Sequence, residues 1–377
     1  MAFPSDCKDL NPEHSSKPRV SILRHYDEDM DDTMDIKSLE HRIERGEKLV
    51  PLFRAMSAVQ SNVYEPFLEF DHKAVTMHRC YEIATVLGVV FGATSVLFAV
   101  GGATIGDNPH FNPLYCELGT IALSLVAIST GKLARFKERW ILARFKSERL
   151  RLLKFASLTH PDFWCDQPQF AQSEESLRKY VECISELTYD DAKRWAKRGV
   201  HPYPAVPPCK DKNYDVAMDE LIEHYVPKRI GAQLNYMESH WGRLESNAIW
   251  TSVAIVVLYW GSFIFVACHI AFEWLHKRGD VPCTDTKALT LGGVFALLAL
   301  ILPIAAAGFR TFRAANEFER SESRHKATYD SLNWLAWEIQ AESDRAKRFV
   351  LIGLAETVLE ADCREFIRLL SEAEWYG

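Results

Sequence analysis

The chain lacks the local signatures by which enzymes are commonly recognised. It has no G-x-x-x-x-G-K-[ST] loop to cradle phosphates, no G-x-G-x-x-G between a strand and a helix, no H-E-x-x-H and no nucleophile elbow. Nine cysteines and thirteen histidines are present, but not at metal-ligand spacing. His160 with Cys165 and Asp166, and His201 with Cys209, match no zinc pattern. No catalytic residue, metal or cofactor is therefore expected. Positive charge is also in short supply. Lys and Arg number 44 against 51 Asp and Glu, a net charge of −7, which argues against a nucleic-acid partner. The opening MAFPSDCKDLNPEHSS has no basic stretch leading into an apolar one, so no cleavable signal peptide is expected.

Charge is scarcest in four long runs: Ile83–Ile105, Leu114–Gly131, Ala248–Phe272 and Ala288–Phe309. None contains Lys or Arg, and the one acid among them, Glu117, lies near an edge. At 1.5 Å per residue each is close to the length needed to cross a bilayer core of ~30 Å. They pair into two hairpins. The mean hydropathy of −0.13 implies large wet parts outside them. Basic residues near the run ends set a topology. The first hairpin link, GDNPHFNP, has none, whereas Lys132, Arg135, Lys137, Arg139, Arg144, Lys146, Arg149 and Arg151 follow the second run. The second link carries Lys277, Arg278 and Lys287, against Arg310, Arg313, Arg320, Arg324 and Lys326 after the fourth run. Both termini and the central segment are expected in the cytosol, and the hairpins in the cell inner membrane.

The expected fold is all-α: an integral membrane protein with two transmembrane helical hairpins, four spans in all, and helical cytosolic extensions. Residues 1–35, with Pro4, Pro12, Pro18 and an acidic run, read as a flexible arm. Residues 36–165 form a first hairpin module, in which Pro51 and Pro66 mark breaks. Residues 166–224 hold a cytosolic helix and a Pro-rich linker. Ser173–Arg198 reads as one helix with Leu177, Tyr180, Val181, Ile184 and Leu187 on a single face. Residues 225–345 form a second hairpin module, and 346–377 a C-terminal cytosolic helix.

The two modules look like a diverged repeat. Each has an amphipathic run into the membrane, a hairpin and a charged exit helix. Ser147-Glu148-Arg149-Leu150-Arg151 in the first corresponds to Ser321-Glu322-Ser323-Arg324-His325 in the second. The first exit helix, KERWILARFKSERLR from Lys137, with Phe155 and Pro161–Trp164, resembles that of the SLATT family. These are bacterial two-transmembrane effector domains of nucleotide-sensing conflict systems. Trp140, Arg144, Ser147, Glu148 and Arg151 carry the resemblance, across residues 64–165 and more weakly 225–340. The second copy departs from the pattern, with Asn316-Glu317 near the position of the aromatic. The resemblance implies a pore-forming or membrane-perturbing effector in phage defence, with a nucleotide-sensing or regulatory partner chain.

The residues themselves allow further expectations. Glu138 and Glu148 stand at helical spacing from Lys and Arg, so the exit helix carries its own ion pairs. Phe136 and Trp140 either pack on a neighbouring helix or sit at headgroup level. Gly88 and Gly92, and Gly292, Ala296 and Pro303, give faces for close helix packing, within the bundle or between subunits of a homo-oligomer. Ser124, Ser129 and Thr130, with Glu117 at the mouth, are candidates to line an aqueous path. Cys116 and Cys283 fall on the outer side, where a disulfide is conceivable. The expected function is a non-enzymatic effector that makes the membrane leak. The alternatives are a scaffold or receptor whose cytosolic helices dock a partner, and a regulated ion channel.

Overall fold

The computed structural model describes residues 29–105, 113–164, 167–199, 214–278, 285–316 and 318–372. Among these residues every regular element is helical. In chain order they are α1 (Thr33–Glu44), α2 (Val50–Ile105), α3 (Pro113–Leu133) and α4 (Phe136–Leu158), then a 3₁₀ turn over Pro161–Trp164. Next come α5 (Gln167–Glu186), α6 (Tyr189–Lys197) and α7 (Asp215–Tyr225), and a π turn over Val226–Gly231. α8 (Ala232–Arg278), α9 (Asp285–Asn316), α10 (Phe318–Ala341) and α11 (Arg345–Glu372) complete the set. Four of them, α2, α3, α8 and α9, contain stretches long and apolar enough to cross a membrane.

α2 does two jobs along its 56 residues, a length of about 84 Å. In its first half Leu52, Met56, Val59, Val63 and Phe67 recur every three or four residues and are buried. They pack with Leu150 and Phe155 of α4, Leu221 and Tyr225 of α7, Leu332 and Ile339 of α10, and Ile352 of α11. Residues from both halves thus share one core, each large side chain contributing roughly 1.5–3 kcal/mol. In its second half Val86, Leu87 and Val90 are exposed, as expected of an apolar face turned to lipid. Pro51 stands at the second position of α2, where its missing N–H costs nothing. Pro66 does not break the helix, contrary to expectation. Val63 and Phe67 on either side of it are buried, and that packing holds the helix through the lost hydrogen bond.

Two other expectations are corrected. Ser173–Arg198 is not one helix: α5 ends at Glu186, and Thr188 opens α6 with a capping box to Asp191. The reciprocal cap satisfies the N–H groups of Thr188 and Asp191 that the new helix start would otherwise leave without acceptors. Leu177, Val181 and Ile184 are buried as expected, but Tyr180 is 63% exposed. The end of the supposed flexible arm is also fixed. Asp29 and Asp32 are buried because their carboxylates pair with Arg151 and Lys154, and Met30 between them packs in the hydrophobic core. Residues 1–28 lie outside the described set, as do Cys165, Asp166, His201, Cys209 and Cys283.

The apolar helices are arranged as two hairpins. α3 packs on α2, α9 packs on α8, and α2 meets α9, giving the row α3–α2–α9–α8. One serine pins each hairpin: Ser124 Oγ donates to the Gly88 carbonyl (2.9 Å) and Ser262 Oγ to the Ala299 carbonyl (2.7 Å). A Cβ at Gly88 would lie 3.0 Å from Ile128 Cγ1, and one at Gly261 would lie 3.1 Å from Leu302 Cδ1. The sequence order of inbound, return and exit helices recurs, and in both halves the exit helix (α4, α10) packs back on the inbound one (α2, α8).

Candidate functional site

The exit helix α4 is the centre of the body outside the apolar layer. Lys146, Ser147, Arg151 and Lys154 are buried on it alongside Ile141, Phe145, Leu150 and Phe155. Charges buried to that degree need partners, and the fold supplies them from distant parts of the chain. Arg151 is 0% exposed. Its Nε lies 3.0 Å from Asp29 Oδ2, its Nη1 donates to Glu148 Oε1 (2.9 Å), and its guanidinium covers the Phe67 ring. Asp29 is shared with Arg229, whose Nη1 is 3.4 Å away. The other edge of Arg229 grips Glu356 bidentately, at 3.0 and 3.1 Å, and Tyr225 donates to the same carboxylate at 2.8 Å. Arg229 belongs to the π turn after Pro227; proline cannot give a regular hydrogen bond there, and the widened turn is a local accommodation.

Beside this pair lies a second one. Lys154 Nζ is 2.8 Å from Asp32 Oδ2 and also bonds the Asp29 carbonyl, while His224 Nε2 is 3.5 Å from Asp32 Oδ1. Burial pushes the Asp29 carboxyl up, against the pull of Arg151 and Arg229. Burial works the same way on Asp32, but Lys154 and His224 overcome it and hold that carboxyl down at about 2.

Nearer the apolar layer, Arg144 bridges Asp71 on α2 (3.0 Å) and Glu148 one turn along (2.6 Å). The expected ion pairs within the exit helix are therefore present, at Arg144–Glu148 and Arg151–Glu148, with Arg135–Glu138 at 3.9 Å. Ser147 donates to the Arg144 carbonyl and is fully buried. Trp140 packs between elements: its ring centroid is 4.2 Å from His78, 5.9 Å from Tyr81 and 6.2 Å from Phe366. Of its two expected settings, packing on neighbouring helices is the one observed.

Trp140 also borders a cavity of about 690 Å³ between α2, α4, α8, α10 and α11. His78 and Arg79 line it from the first half, and His240, Arg243, Arg324 and His325 from the second. His240 Nδ1 donates to the Tyr236 carbonyl (2.9 Å), so its Nε2 accepts from Arg243 (3.2 Å). Arg324 pairs with Asp362 at 3.2 Å and its Nη2 lies 3.3 Å from His325 Nε2. Burial, reinforced by Arg324 and His240, pushes the His325 imidazolium down to about 3, so the ring is neutral near pH 7.

The candidate pore residues do not converge on this cavity. Ser124 is buried between α2 and α3, Ser129 and Thr130 are exposed on α3, and Glu117 is half-buried near its start. Of the packing residues, Gly88 and Gly92 face α3, near Ile128 and Ser124. Gly292 faces His269 and Phe272 of α8, and Ala296 and Pro303 are half-buried within a continuous α9. Cys116 is half-buried, but its pairing with Cys283 falls outside the described residues. Among the described residues no group of three or more His, Cys, Asp or Glu is placed to hold a metal.

Reading the sequence missed Asp29, Asp32, Arg229 and Glu356, and the second-half lining of the cavity. A usable signal existed for Glu356: it stands at helical spacing from Ile352, Leu359 and Cys363, on the side of α11 that is buried. Comparison with protein-family models, curated proteins and solved structures finds no match to this chain.

Proposed function

We propose that the chain is a non-enzymatic membrane effector of the SLATT kind. Its two hairpins sit in the inner membrane with the body and both termini in the cytosol, and copies assemble to make the bilayer leak. The observation that carries this reading is the row α3–α2–α9–α8. The helices of the row carry exposed apolar residues, such as Val90 of α2 and Val257 and Phe263 of α8. The row encloses no path by itself, so conduction belongs to an assembly of rows. Ser129 and Thr130, exposed on the terminal helix of the row, are then available to a neighbouring copy. The continuous α2 and the near-continuous α7–α8 carry any movement of the body into the membrane. A regulatory partner chain lowers the density of copies at which the assembly conducts, and does not replace assembly as the cause of the leak.

The test is depolarisation of cells expressing the chain from a titratable promoter, read with a potential-sensitive dye. Dose-dependent depolarisation, abolished by Gly88→Leu with Gly92→Leu, supports the effector reading. A second reading, a receptor or scaffold, is favoured by Trp334 and Trp337, which are 53% and 61% exposed on α10. Under that reading polarisation is kept at every dose, and Trp334→Ala with Trp337→Ala abolishes capture of a partner instead.

A further inference from the structure

We propose that the cavity between the two halves is a binding site for a phosphate-bearing anion, held by Arg79 from the first half and by Arg243, Arg324 and His325 from the second. The inference goes beyond the effector reading and stands whether or not the membrane helices conduct.

Buried donors without acceptors are the first reason. His325 is 7% exposed. Its Nε2 lies 3.3 Å from Arg324 Nη2, which can only donate, so Nε2 accepts. The ring is neutral, which places its proton on Nδ1, and Nδ1 is buried with no acceptor among the described residues. Arg324 spends Nη1 on Asp362 and Nη2 on His325, and its Nε is likewise buried without an acceptor. Two adjacent orphan donors on the wall of one cavity call for oxygen acceptors inside it.

Charge is the second reason. Three of the four acids around the cavity are engaged: Asp71 and Glu148 with Arg144, and Asp362 with Arg324 and Thr328. The fourth, Glu82, lies 3.6 Å from His78, whose imidazolium burial disfavours. Arg79 makes no ion pair or hydrogen bond among the described residues, and Arg243 has only the neutral His240 ring. Among the described residues neither guanidinium pairs with a carboxylate, so the lining carries two unpaired cationic forks against the single carboxylate of Glu82, in a chain whose net charge is −7. Planar, multi-donor guanidinium suits phosphate oxygens.

Position and size agree. Arg79 is four residues before the apolar run at Ile83, and Arg243 five before the run at Ala248. At 1.5 Å per residue both lie about 6–8 Å from the apolar layer, the depth of lipid headgroups. The cavity, at about 690 Å³, accommodates a phosphate ester with its substituent. Because its walls come from both halves, occupancy ties one to the other.

The phosphate has two possible sources, a lipid headgroup or a soluble ester, and the experiment separates them. The thermal unfolding midpoint of the full chain in neutral detergent is followed against glycerol 3-phosphate, and separately against phosphatidylglycerol or phosphatidylcholine in mixed micelles. Sodium chloride at matched ionic strength controls for general screening. Wild type is expected to gain a saturable rise in midpoint from one of the anionic probes. The double variant Arg79→Gln/Arg243→Gln, both exposed and remote from the core, is expected to need at least tenfold more of that probe, with unchanged circular dichroism. A rise with glycerol 3-phosphate assigns a soluble ester; a rise with phosphatidylglycerol alone assigns a lipid. No saturable rise with either, or an equal response of the double variant, overturns the proposal.

Discussion

Arg229 and Glu356 illustrate how little of a buried charge is legible from its own neighbourhood. Glu356 is held by Arg229 and Tyr225, both more than 120 residues earlier in the chain. Removing one partner leaves an uncompensated buried charge, whereas replacing both by apolar groups of similar volume is far less costly. Glu356→Ala is therefore expected to lower stability by about 3–5 kcal/mol, and Arg229→Met/Glu356→Leu by clearly less. Unfolding midpoints in detergent check the order. At His325 the pH dependence has a definite sign. The folded ring titrates at about 3 against an ordinary value of 6.5, so in between the unfolded chain binds a proton that the folded one refuses. Stability consequently falls as pH drops from about 6.5 towards 3. Asp32, held at about 2 from an ordinary 3.8, adds its loss only below that ordinary value. Between pH 7.5 and 5 the midpoint of His325→Gln should fall less than that of wild type; equal falls would assign the sensitivity elsewhere.

Elements were more legible than residues. The four apolar helices could be read directly, because each run is long enough to cross a bilayer core as a helix and carries no Lys or Arg. The break before α6 is written in Thr188 and Asp191, whose three-residue spacing is that of a capping box. Thr188→Ala is expected to cost about 1 kcal/mol, visible as faster amide exchange in α6 alone. Pro66 misled because the proline rule is local, while the packing of Val63 and Phe67 is not. Asp29 and Asp32 misled for the same reason: an acidic run looks alike whether it meets water or meets Arg151, Lys154 and Arg229. The exit motif was found in the sequence, with its ion pairs within the helix correctly anticipated. Its role as the hub joining α2, the N-terminal acids and the second half could not be. Within the hairpin, Ser124→Ala removes one hydrogen bond and should cost about 1 kcal/mol. Gly88→Leu forces a side chain onto Ile128 and should separate α2 from α3; a cysteine cross-link between the two helices distinguishes the outcomes.

For the whole molecule, the sequence pointed to two hairpin modules in tandem, and the structure has two hairpins whose inbound helices and exit helices converge in one shared body. The cavity at that convergence was not foreseen, since its walls are drawn from five helices and no contiguous motif describes it. On the effector reading, several copies are needed to breach a membrane. Ion efflux from vesicles carrying the purified full chain tests it most directly. Efflux is expected to rise faster than linearly with the number of chains per vesicle and to be lost in Gly88→Leu/Gly92→Leu. Efflux strictly proportional to chain number, or none at any density, would contradict that reading.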